Sequence, residues 1–105
     1  MAEGKPTVTP WPGPESASEA AIRRTLDAAG LRYYPWSNGP GDVYPAHSHH
    51  YNKVIYVVRG SIAFGLPAAG ERLTLHAGDR LDLPTGVMHD AVVGDGGVLC
   101  LEAHC

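Results

Sequence analysis

The spacing of hydrophobic positions changes once along this chain, at Gly30. Before it, Ile22, Leu26 and Ala29 recur on one helix face, with Glu19, Arg23 and Asp27 on the other side. Ser16 and Glu19 have the spacing of a capping box, Ser18 is a competing cap, and Gly30 is a stop signal. This pattern predicts a short amphipathic helix over about 16–29. After Gly30 the signal becomes short apolar runs rich in β-branched and aromatic residues, punctuated by turn residues. The predicted strands are Leu31–Trp36, Asp42–His47, Tyr51–Arg59, Ser61–Leu66, Glu71–His76, Arg80–Leu83, Val87–Val93 and Val98–His104. So many short strands, closely spaced, predict an all-β barrel or sandwich carrying one helix.

One strand breaks the simple in–out alternation. In Lys53–Val58, Ile55 and Val57 fall on one face while Val54, Tyr56 and Val58 fall on the other. A strand apolar on both faces is covered on both. Either the helix or a second subunit is expected to lie against it. Residues 1–14 read differently again, because Pro6, Pro10, Pro12 and Pro14 exclude a helix there. They form a Pro-rich N-terminal arm, flexible or laid extended on the surface, with Trp11 as its apolar anchor. Residues 15–105 are read as a single domain.

Composition narrows the function classes. The chain has 105 residues, 44% hydrophobic and 18% charged, which suits one globular core. Its net charge is −3 and Arg23-Arg24 is the only adjacent basic pair, so no nucleic-acid partner is expected. No apolar run approaches the ~20 residues that span a bilayer, so no membrane partner is expected. The N-terminus lacks the basic-then-apolar pattern of a signal peptide, which predicts a cytoplasmic protein. Cys100 and Cys105 on one extended strand would lie roughly 16 Å apart, beyond disulfide reach, and are expected to be free thiols. There is no Gly-rich phosphate loop, nucleophile elbow or Cys-x-x-Cys.

The remaining chemistry lies in histidines. On a strand, His47 and His49 project to one face and His50 away from it. His89 follows a Pro84-Thr85-Gly86 turn, and a strand placed beside the first would complete an imidazole triad able to hold a divalent metal. The competing reading is a polar barrel mouth of hydrogen-bonded histidines without metal. His76 and His104 have no partner at metal spacing.

Two blocks carry a family resemblance. Gly41, five residues, His47-Ser48-His49, three residues, Lys53, six residues, Gly60 resembles the first motif of the cupin superfamily. Gly78, five residues, Pro84-Thr85-Gly86, two residues, His89 resembles the second. The resemblance implies a small jelly-roll β-barrel, usually a homodimer, with a metal inside held by His47, His49 and His89. The departure is Lys53, which stands where the family usually has a ligand glutamate. An ammonium cannot ligate a metal, so Lys53 must swing aside, lose its proton or sit near an anion. Three neutral imidazoles still suit a divalent ion, with Fe, Zn, Mn and Ni all open.

Two readings of Lys53 stand: a chain snorkelling out of the barrel, or a catalytic, anion-binding or acid–base lysine. Tyr51, Phe64 and Trp36 are candidate substrate-binding residues, with plain barrel core as the alternative. The resemblance implies a metal-binding cupin acting on a small, anionic organic molecule as ligand or substrate, in the manner of dioxygenase-type enzymes. The alternatives are a non-catalytic binding or sensing barrel in which Lys53 replaces the metal's charge, and a structural dimer.

Overall fold

A computed structural model of the chain describes residues 4–105. In chain order the elements are β1 (Thr7–Thr9), α1 (Glu19–Ala28), β2 (Tyr33–Asn38), β3 (Val43–His47), β4 (Lys53–Leu66), β5 (Glu71–His76), β6 (Arg80–Leu83) and β7 (His89–His104). The strands pair antiparallel throughout.

The two longest strands turn one sheet into two packed layers. Lys53–Tyr56 of β4 pairs with β6 on one side and with the last residues of β7 on the other. Beyond a register shift, Ser61–Leu66 of the same strand pairs with β5 and with the opening residues of β7. One layer therefore runs β1-β6-β4-β7-β2, and the second is built from β5, β4, β7 and β3. This is the expected all-β, jelly-roll type of barrel.

Glycines bend these strands where the sequence pattern predicts breaks. The strands expected over Tyr51–Arg59 and Ser61–Leu66 are one strand, β4, which starts only at Lys53. Those expected over Val87–Val93 and Val98–His104 are one strand, β7, which starts only at His89. At the bend Gly60 has φ +81° and lies so close to Gly97 that a Cβ would fall 1.9 Å from its carbonyl oxygen. Only glycine satisfies both conditions, and the strand continues through it instead of stopping.

Of the two forms expected for the Pro-rich arm, Thr7–Thr9 takes the extended one. Thr7–Thr9, between Pro6 and Pro10, pairs with Arg80–Asp82 at a sheet edge, where proline is tolerated on either side. The helix starts later than the Ser16 box predicts, because Ser18 is the cap and accepts a bond from the Ala21 amide at 3.1 Å.

Two apolar layers result. Ile55, Val57, Ile62, Phe64, Leu75, Leu81 and Cys100 fill the barrel interior. Outside it, Ile22 and Leu26 of α1 pack on Val54, Tyr56, Val58, Leu101 and Ala103, with Trp11 of the arm alongside. The second apolar face of Lys53–Val58 is thus covered by the helix. No helix among the described residues is long and apolar enough to cross a membrane.

Candidate metal centre

The register of β3 against β7 sets His47 opposite His89. His49 lies two residues past the end of β3, so strand alternation does not orient it. It is held instead by the second motif. The amide of Gly86 donates to the His49 carbonyl at 2.8 Å, and the Thr85 hydroxyl donates to the same oxygen at 3.2 Å. The Thr85 amide donates to the Asn52 side chain at 2.8 Å. The Pro84-Thr85-Gly86 turn thereby clamps the loop that bears His49.

The three rings meet. Their centroids are 4.6 Å apart for His47 and His49, 4.5 Å for His47 and His89, and 5.3 Å for His49 and His89. One nitrogen from each lies within 4.8 Å of the others. The hydrogen bonds select which nitrogen is free. His47 Nδ1 lies 2.7 Å from the Pro45 carbonyl, and His89 Nδ1 lies 2.9 Å from the Val87 carbonyl. A carbonyl only accepts, so each Nδ1 carries the proton and each Nε2 keeps its lone pair. His49 Nδ1 meets the Tyr51 hydroxyl at 3.1 Å, and its Nε2 is buried without a hydrogen-bond partner.

Electrostatics favour the neutral, ligating form. Burial lowers the pKa of His49, and the charges of Lys53 and the other two imidazoles lower it further. Burial lowers that of His89 as well, against the opposing effect of its Val87 bond. A buried Nε2 left unpaired costs about 1–3 kcal/mol. A cation held by this nitrogen together with the Nε2 atoms of His47 and His89 removes that cost, so the donor set fits a divalent ion.

Beneath the cluster lies a cavity of about 200 Å³ lined by Trp36, Tyr44, His47, Lys53, Ile55, Ile62, Phe64, His89 and Ala91. Trp36 and Phe64 are therefore wall residues. Tyr51 is not; it stands behind His49, its ring 4.2 Å from that of His104. Tyr44 is anchored by a hydroxyl bond to the Asn38 side chain.

Lys53 neither snorkels to solvent nor sits unpaired. Its Nζ lies 3.2 Å from Glu102 Oε2, and the two side chains are 12% and 5% exposed. Glu102 also accepts from the Tyr34 hydroxyl at 2.6 Å, from Trp36 Nε1 at 2.9 Å and from His104 Nε2 at 2.7 Å. Burial pushes the Glu102 pKa up, but the bonds from Tyr34 and His104 and the Lys53 charge outweigh it and hold the carboxyl below its ordinary range. Burial and the adjacent Glu102 push Tyr34 up, so it stays protonated as a donor.

Sequence reasoning missed Glu102. A signal existed: Cys100, Glu102 and His104 alternate with Leu101 and Ala103, which puts a carboxylate on the inward face. Cys100 itself is core, its thiol pushed up to about 12 by burial and then by Glu102, and so inert as a nucleophile. Both cysteines are free.

A family model described as Cupin domain matches residues 36–102, which include both histidine blocks. The chain belongs to the cupin family. Solved cupin-type structures resemble it. The polyketide cyclase RemF from Streptomyces resistomycificus is 28% identical at a TM-score of 0.63, over 71% of this chain and 54% of that one. An RmlC-like cupin from Shewanella frigidimarina is 27% identical at 0.61, over 70% of this chain and 64% of its own. A DUF861 family protein from Thermotoga maritima covers 96% of this cupin and 100% of itself at 0.67, with 13% identity, and bears on the fold alone. The chain thus spans little more than half of the cyclase and under two thirds of the RmlC-like protein. No curated protein matches this cupin.

Proposed function

We propose that this cupin binds one divalent metal ion through His47, His49 and His89 and holds a small oxygen-bearing organic molecule in the cavity beneath. The observation that carries this reading is the buried, unpartnered Nε2 of His49 beside two Nε2 atoms freed by backbone carbonyls. Bound there, the ion supplies a Lewis acid toward a ligand oxygen and, where it is iron, one-electron chemistry toward O₂. The chain's own residues do the rest. Tyr51 steadies His49, while Ile55, Ile62 and Phe64 give apolar walls for a carbon skeleton and limit water. The likeness to a protein described as a polyketide cyclase supports an enzyme acting on an oxygenated carbon skeleton.

The pairing of Lys53 with Glu102 argues against a metal-free anion site, because the charge meant to replace the metal is already matched. The test is metal analysis after reconstitution with Fe²⁺, Mn²⁺, Ni²⁺ or Zn²⁺, comparing the natural protein with His89→Ala. About one ion per chain, lost in the variant, is expected. Substoichiometric metal with every ion, or equal content in the variant, overturns the reading.

A further inference from the structure

We infer that the N-terminal arm is a strap that sets how tightly the metal centre grips its ion. Docked along β6, residues 4–17 hold the Pro84-Thr85-Gly86 turn against the loop bearing His49, with Val8 and Trp11 as positioning residues. This inference rests on the metal-binding reading above and adds what controls the affinity of that site.

The arm follows β6 from end to end. Trp11 and Ala17 cover the approach to the strand, where a Cβ on Gly78 would fall 3.1 Å from Trp11 Cβ and 2.8 Å from Ala17 Cβ. Thr7–Thr9 pairs with Arg80–Asp82. Gly4 reaches the turn itself, since a Cβ on it would lie 3.5 Å from Pro84 Cγ.

β6 needs this cover. It has four residues and pairs with β4 on one side and β1 on the other. Without β1 it would be a short open edge, and such a strand opens locally at small cost. The turn follows directly. Two residues past β6, the Gly86 amide and the Thr85 hydroxyl donate to the His49 carbonyl, and the Thr85 amide donates to Asn52. These bonds place the His49 loop, and β6 with its strap places the turn.

Few side chains hold the strap. Val8 is the half-buried residue of β1, packed against the barrel core and paired in register with Leu81. Pro6, Pro10, Pro12 and Pro14 restrict the arm before it docks, which reduces the entropy lost on docking. The contact is nevertheless incomplete. A cleft of about 310 Å³ is lined by Pro10, Trp11 and Pro12 of the arm and by Tyr56, Arg80 and Asp82 of the sheet. One substitution is therefore enough to release it.

The test measures zinc affinity by competition with a chelator, and amide hydrogen exchange in metal-free protein. Val8→Asp sets a carboxylate against the apolar core and is expected to undock the arm. With the clamp closed in about a tenth of the molecules, zinc binding weakens about 10-fold. Exchange at the Thr85 and Gly86 amides quickens at least about 10-fold, while the amides of β5 keep their protection. Val8→Ile holds both readouts at their natural values. Leu26→Ala loosens the helix on the outer apolar layer; it is expected to lower stability and to leave zinc affinity within about 2-fold. If Val8→Asp does not fold, Trp11→Ala at the partly exposed anchor takes its place and is read the same way. Unchanged exchange at Thr85 and Gly86, unchanged zinc affinity, or equal weakening by Leu26→Ala overturns this inference alone. Failure of the natural protein to take up zinc overturns the metal reading and the affinity claim with it.

Discussion

The buried pair of Lys53 and Glu102 makes a quantitative prediction. At 3.2 Å and an effective dielectric of about 20, the gross Coulomb attraction is about 5 kcal/mol. Removing both ions from water costs several kcal/mol, so the net worth of the pair is much smaller than that attraction. Removing one partner is different, because it strands the other charge. Lys53→Met leaves the carboxylate of Glu102 with hydrogen bonds from Tyr34, Trp36 and His104 but no lysine counter-charge. Glu102→Gln leaves an ammonium that is 12% exposed beside donors that an amide nitrogen cannot satisfy. Each single variant is expected to lose about 3–5 kcal/mol, and the double variant to lose at least about 2 kcal/mol less than the sum. Urea unfolding of all four proteins at pH 7 measures the cycle. Raising the salt should change the coupling little, since the pair is shielded from solvent. Single losses below about 1 kcal/mol, or additivity within about 0.5 kcal/mol, would show that the pair behaves as an exposed one and would refute the reasoning.

Further outcomes follow from the same geometry. In protein stripped of metal, the lowered pKa values of His49 and His89 mean that the unfolded chain binds protons the native state resists. Stability is then full above the unfolded value of about 6.5 and is lost as pH falls through the lower native values; an unchanged urea midpoint between pH 7.5 and pH 5 counts against this. Glu102, also lowered, adds a loss that begins only below about pH 4.3 and is absent from Glu102→Gln, which acid titrations of the two proteins compare. Tyr51→Phe removes the bond to His49 Nδ1 and should weaken metal affinity about 10-fold; equal affinity by competition with a chelator would mean that the tyrosine does not orient the ring. Lys53→Glu alone should not improve metal binding, because its new carboxylate faces Glu102, whereas adding Glu102→Gln should; equal effects in the two variants would contradict the pairing argument.

Much of this protein is legible residue by residue. The helix follows from Ile22 and Leu26 at one-face spacing, and the two apolar faces of Lys53–Val58 announce a second layer of cover. The spacing of His47, His49 and His89 within two motif blocks is enough to suggest a shared site. The strand breaks expected near Gly60 and Gly94–Gly97 are bends because pairing across β4 and β7 outweighs the local weakness of glycine. Thr7–Thr9 reads as an arm because its pairing partner lies over seventy residues away, beyond any local window.

The sequence by itself determined the local periods, the motif spacings and the identity of the groups that can ligate. Only the tertiary structure decided that Glu102, far from Lys53 in the chain, takes its ammonium, that Tyr51 supports a histidine and does not line the cavity beneath the cluster, and that the Nε2 of His49 is left unpaired. The physical reason is range. Periodicity reports which face a residue occupies, whereas an ion pair or a freed lone pair depends on which strands become neighbours.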